Sequence, residues 1–168
     1  SDDAAPALPL RGVVERRIER LLQRSAHERR SSALLLVNLD RFSAVVETLG
    51  QVCAQQLLEA AMPRIAATLG DDAAVDRYGN DEFVITIDAD AGADAPDIVA
   101  RRILGALRQL FVVGRHRVTL AASIGFVTGS DAGDDPDTML RHARLAMQAA
   151  KRAGGDCVRG YDRNFDST

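Results

Sequence analysis

Ala73-Ala74-Val75-Asp76-Arg77-Tyr78-Gly79-Asn80-Asp81-Glu82-Phe83-Val84-Ile85-Thr86-Ile87-Asp88 reads as two strands around a turn. Ala73 to Tyr78 and Glu82 to Asp88 are short runs of strand-forming residues, and the Gly79-Asn80 pair between them tolerates the positive φ angles of a tight hairpin turn. Upstream, Ala33-Leu34-Leu35-Leu36-Val37 is an unbroken apolar run between Ser31-Ser32 and Asn38, the pattern of a strand covered on both faces. Between these strands Asp40 is placed to cap a helix from Arg41 to Leu49 that Gly50 closes. A second helix follows from about Val52 to Leu69, which Pro63 is expected to kink or divide because proline removes a backbone donor.

Downstream, Ile98, Ile103, Leu104 and Leu107 recur at helical spacing within Asp94 to Leu110, with Pro96 near the first turn. Phe111-Val112-Val113 then reads as a short strand, Gly114 to Arg117 as a turn and Val118 to Val127 as one long strand. Asp135 caps and Pro136 opens a last helix to about Ala153, and Cys157 to Tyr161 forms a final strand. The order β-α-α-β-β-α-β-α-β, plus a small extra hairpin, predicts an α+β, ferredoxin-like domain whose largely antiparallel sheet carries helices on its faces. Ahead of it, Val14, Ile18, Leu21 and Leu22 draw a narrow apolar stripe along a charged helix from Leu10 to Arg30. That helix either packs on its own domain or pairs two chains as a homodimer, the stripe being too short for a sustained heptad seam. The expected organisation is a lead-in over residues 1–30, a folded domain over 31–162 and the start of a linker over 163–168; Ser130 to Asp135 reads as a flexible acidic loop.

Composition removes several classes of function. With 21 Lys and Arg against 24 Asp and Glu, a formal net charge of −3 offers no basic field for nucleic acid. Aromatic residues make up only 4% of the chain, and Phe83, Phe111 and Phe126 lie in apolar strands, so a base-stacking sheet of the RNA-binding kind is set aside. No apolar run approaches the length that crosses a bilayer, and Ser1 to Pro6 has no signal-peptide character, which predicts a cytoplasmic fragment without membrane contact. Cys53 and Cys157 lack metal-site spacing, and His27, His116 and His142 are far apart in sequence.

Chemistry is expected where two segments meet: Asn38-Leu39-Asp40 at the end of the central strand and Gly79-Asn80-Asp81-Glu82 in the hairpin turn. Carboxylates from neighbouring strand ends, beside a glycine that lets backbone approach a ligand, are the parts of a magnesium-nucleotide site. The plainer alternative is that Asp40 is an N-cap and Asp81-Glu82 solvated turn residues.

Arg77-Tyr78-Gly79-Asn80-Asp81-Glu82-Phe83 resembles the signature of the GGDEF family, the diguanylate cyclase domains that condense two GTP into cyclic di-GMP. Leu36 to Phe42 is similar to the family's D-x-D-x-F strand end, Thr48-Leu49-Gly50 to its helix closure, Ser123-Ile124-Gly125 to its S-I-G strand, and Ala143 to Gly154 to its A-D-x-A-L-Y-x-A-K-x-x-G helix. The resemblance implies a nucleotidyl-cyclase-like fold with the active site at these strand ends. It also shows departures. The metal-binding acid of the strand end falls on Asn38, the phosphate-touching Lys on Ser43, and the guanine-reading Asn and Asp on Val46 and Gln55. The second signature glycine is Asn80, whose side chain would project toward the nucleotide, and the Arg after the last helix falls on Gly155. Gly79 matches, as do Asp81 at the metal-binding signature position, Glu82 beside it and Lys151 near the phosphates, and Asp40 keeps the second acid of the strand end. The product-binding R-x-x-D would need Arg at Gly70 and Asp at Ala73, so cyclic di-GMP is not expected on that surface.

Each unmet hydrogen bond to a base costs roughly 1–3 kcal/mol, and millimolar GTP gives only about 4 kcal/mol of leeway before occupancy collapses. The expectation is a degenerate domain, not an enzyme, holding no metal or cofactor and acting as a regulatory or scaffolding module beside an EAL phosphodiesterase domain of a bacterial signalling protein. The alternatives are a GTP-binding sensor and a weakly active diguanylate cyclase.

Overall fold

The computed structural model describes residues 7–28, 31–89, 94–129 and 135–167. Residues 130–134 of the acidic loop predicted over Ser130 to Asp135, and the end of the lead-in helix at Arg29 and Arg30, lie outside them. Helix α1 spans Ala7–Glu28 and strand β1 Ser31–Leu39; α2 (Phe42–Leu49) and α3 (Gln51–Ala66) follow, then the strands β2 (Ala73–Arg77) and β3 (Glu82–Ala89). After α4 (Pro96–Leu107) come β4 (Phe111–Val113), β5 (His116–Val118), β6 (Ala122–Thr128), α5 (Pro136–Arg152) and β7 (Cys157–Gly160). The main sheet has the order β2-β3-β1-β6-β7, and β4-β5 forms a separate two-stranded hairpin. Every pairing in the main sheet is antiparallel except β6 with β7, as the predicted α+β class requires.

The continuous apolar run of β1 is explained by its place at the centre. Leu35, Val37 and Leu39 face one core with Phe83, Ile85, Ile103 and Leu107, under α3 and α4. Leu34 and Leu36 face a second core with Val84, Val127, Met139 and Met147, under α1 and α5. Val14 and Ile18 are fully buried and Leu21 nearly so in that second core, with Leu22 packed at its edge. The stripe is therefore occupied within the domain, and the alternative of a homodimer through this helix loses the seam it relied on. Burial of those side chains contributes about 2 kcal/mol each. The exposed pairs Arg17–Asp76 (2.8 Å) and Arg24–Asp88 (2.8 Å) add about 1 kcal/mol or less, so packing and not charge docks α1.

Four local expectations are corrected. Asp40 does not cap α2: the N-cap is Arg41, in the left-handed region at φ 53°, and no side chain caps that end. The β2–β3 turn is no two-residue hairpin turn: Tyr78 N–H donates to the Glu82 carbonyl across a longer loop, and Gly79 alone takes positive φ (95°) while Asn80 does not. Pro63 does not divide α3: it costs one backbone bond, and only three residues of the helix follow it before the end at Ala66. The long strand predicted from Val118 is two strands in two sheets. Val118 pairs with Phe111 in the hairpin; Leu120 N–H then bonds the Leu107 carbonyl, and the chain enters the main sheet at Ala122. Asp135 does cap α5, accepting from Thr138 N–H at 2.8 Å.

Helix α5 lies on β6 with backbone against backbone. A Cβ on Gly125 would overlap the amide nitrogen of Met147 and the carbonyl of Ala143. Gly125→Ala is therefore expected to cost at least about 2 kcal/mol, because helix and sheet must separate to admit one methyl group. Urea unfolding of the two proteins measures it, and equal midpoints would contradict this packing.

Candidate functional site

The register of the sheet assembles the site. Asn38 on β1 lies directly opposite Glu82 on β3 and Ser123 on β6, so three side chains from three strands share one row on the α5 face. The signature turn is tied to the end of β1 by Leu39 N–H bonding the Asp81 carbonyl (3.0 Å), and β6 is tied there by Asp40 N–H bonding the Ala121 carbonyl (2.8 Å). Asn38, Asp40, Asp81 and Glu82 thus gather as the sequence suggested. Helix α5 brings two cations over them, Arg144 and Lys151, seven residues or about two turns apart on one helix face.

Each cation is engaged by an acid. Arg144 grips Glu82 with both arms of its guanidinium, Nη1 to Oε2 at 2.8 Å and Nη2 to Oε1 at 3.3 Å. Asn38 Nδ2 donates to the same Oε2 at 3.3 Å. A carboxylate has no hydrogen to give, so it is the NH₂ end of the amide that faces Glu82. Asp40 accepts from Ser123 Oγ (2.7 Å), Lys151 Nζ (3.1 Å) and the backbone N–H of Asp156 (2.7 Å). Those bonds clasp β1, β6 and the α5–β7 turn together, which explains why Asp40 abandons the nearby helix end. The turn itself runs through three left-handed residues, Gly154 (φ 116°), Gly155 (φ 78°) and Asp156 (φ 51°). A Cβ on Gly155 would come 2.8 Å from Asp40 Oδ2. In this backbone the seat of Asp40 and any side chain at position 155 exclude each other.

The base-reading positions are elsewhere in character. Val46 is half-buried against the core beneath α2, Ser43 is exposed, and exposed Gln55 reaches only Glu59 one turn further along α3 (3.4 Å). Asn80 is exposed at the turn and Gly79 lies beside Glu82, 3.6 Å from a built Cβ to Oε1. Sequence reasoning missed Arg144 and Ser123. Arg144 was open to detection by its two-turn spacing from Lys151, and it stands at the acidic position of the A-D-x-A helix pattern, a reversal of charge.

The donor set does not fit a divalent cation of the magnesium type, which takes charged and carbonyl oxygens with their lone pairs free. Asn38 presents hydrogens to this corner; Glu82 Oε2 and Asp40 Oδ1 each accept from two donors, Glu82 Oε1 and Asp40 Oδ2 from one each, which leaves the half-buried Asp81 as the least engaged acid. Among the described residues no group of three or more His, Cys, Asp or Glu is arranged to hold a metal ion.

The sequence matches the family "Diguanylate cyclase, GGDEF domain" over residues 2–157. The chain is a GGDEF domain. The signalling protein YkoW of Bacillus subtilis is 28% identical over 160 residues, covering 95% of this chain and 20% of its own length. MucR of Pseudomonas aeruginosa, a bifunctional diguanylate cyclase/cyclic di-GMP phosphodiesterase, is 32% identical over 152 residues, 90% of this chain and 22% of its own. The solved GGDEF domain of TpbB, also from Pseudomonas aeruginosa, superposes with a TM-score of 0.88 at 25% identity, covering 94% of this chain and 92% of that one. This GGDEF domain spans about a fifth of the length of YkoW and MucR. No described helix is long and apolar enough to cross a membrane.

Asp81 is the remaining acid of the cleft. Burial first, and the Glu82 charge second, hold its carboxyl above the ordinary value of 3.8, against the pull of Lys151, its own backbone amide and Arg144. A carboxyl raised on folding binds its proton more tightly in the folded state, so its contribution is fully present below the unfolded value and is lost as pH climbs through the raised one. Asp81→Asn is expected to raise Tm at neutral pH, with the gain fading as pH falls toward 3.8. Melting curves between about pH 4 and pH 8 check this, and a difference that does not vary with pH would contradict it.

Proposed function

We propose that this GGDEF domain makes no cyclic di-GMP and serves as a regulatory or scaffolding module in cyclic di-GMP signalling, within a longer protein whose EAL phosphodiesterase domain it modulates. The observation that carries the reading is the Asn38–Glu82–Arg144 arrangement. Glu82, the signature acid beside Asp81 at the family's metal-binding position, is here forked by an arginine of the same chain and faced by amide hydrogens. Lys151, which the resemblance assigns to phosphates, is drawn onto Asp40. Val46 has no polar atom with which to read guanine. Cyclase chemistry asks for more than occupancy, since the 3′-hydroxyl of one nucleotide must be aligned with the α-phosphate of another held by a second copy of the domain. The coupling to an EAL domain is supported by relatives such as MucR, whose name joins cyclase and phosphodiesterase in a chain about five times longer than the shared region.

The test is direct. Incubated with GTP and Mg²⁺ or Mn²⁺, the 168-residue chain is expected to give no cyclic di-GMP above a protein-free blank by mass spectrometry, under conditions where an intact GGDEF domain turns over. Sustained product formation would overturn the proposal.

A further inference from the structure

We propose that Arg144 is a built-in counter-ion: its guanidinium takes the place of a divalent cation at the Asn38–Glu82 corner and keeps Mg²⁺ and Mn²⁺ out of the cleft. This rests on the reading of the domain as one without cyclase activity, and deepens it by naming what replaces the metal. Glu82 has a side chain only 13% exposed, beside the half-buried acid Asp81, and such a pair of neighbouring carboxylates demands positive charge. Three acids, Asp40, Asp81 and Glu82, are met by two cations of α5, each with its own partner. One negative charge is left over, too little to attract an ion that carries two and must shed water to enter.

The geometry explains why an arginine fills this role. Its planar fork meets both oxygens of Glu82 at once and supplies there the positive charge a metal would bring, while Oε2, which also accepts from Asn38, has both its acceptor sites taken. Asn38 completes the exclusion. An aspartate there would stand directly across the sheet from Glu82 and add like charge, whereas the amide donates a hydrogen bond to the same oxygen that Arg144 holds. The neutral residue at 38 and the cation at 144 are thus one adaptation: either alone would leave the corner unbalanced.

Manganese binding to the metal-stripped 168-residue chain, followed by the loss of the free-ion electron paramagnetic resonance signal, tests it. The unmodified domain and Arg144→Lys are expected to leave the signal unchanged at millimolar Mn²⁺. Arg144→Gln, which keeps much of the side-chain volume, is expected to gain at least about tenfold in Mn²⁺ affinity, and Arg144→Gln with Asn38→Asp to gain further. Circular dichroism checks each fold. If Arg144→Gln is unfolded, the unmodified domain decides: a rise in its Tm with Mn²⁺ overturns the proposal, and an unchanged Tm supports it. Failure of a folded Arg144→Gln to gain affinity also overturns it. Manganese bound by a domain that still makes no cyclic di-GMP would sink this proposal alone; cyclic di-GMP production would sink the reading beneath it.

Discussion

Strand β1 is hydrogen-bonded along both edges and buried on both faces, and the remainder of the structure is arranged around that constraint. A strand with Leu34, Leu35, Leu36 and Val37 all fully buried cannot shift register by one residue without exchanging its two cores. Its end is fixed in consequence. Asn38 must emerge between Glu82 and Ser123, and Asp40 must arrive beneath the C-terminal half of α5. The cleft is a by-product of central-strand packing, and its position would survive wide variation in the residues that line it.

Electrostatic balance then decides what those residues do. Two long-range ion pairs and one amide–carboxylate bond place positive charge against negative within a partly dehydrated corner, where such pairs count for more than on an open surface. The same charges serve the fold, since Asp40 joins β1 to β6, to α5 and to the turn before β7. Side chains at the strand ends where the family resemblance places nucleotide and metal thus also tie strands and helix together.

Legibility in the sequence followed the range of the interactions. The double-faced strand, the presence of a β2–β3 hairpin and the Asp135 cap rest on neighbours within a few residues, and the structure agrees with each. Asp40 was misjudged as a cap because the local partner, a helix beginning two residues on, is visible in sequence, while Ser123, Lys151 and Asp156 are 83, 111 and 116 residues away. The break between Val118 and Ala122 escaped notice for the same reason: apolar residues run through it, and only the contact of Leu120 with the end of α4 shows where one sheet stops. Family resemblance supplied the cleft's location and the departures at Asn38, Ser43, Val46 and Gln55. It drew attention to what was missing, and so passed over Arg144, which is an addition.

The missing side chain at Gly125 has a mechanical result. Where Gly125 lets the α5 backbone from Ala143 to Met147 rest directly on the strand, no side chain lies between them to deform, so that stretch of α5 cannot roll without breaking the contact. The gap between its arginine and the strand ends is consequently set like the jaw of a fixed spanner. Whatever enters must match that opening as it stands, and evolution can retune the grip only by exchanging the teeth.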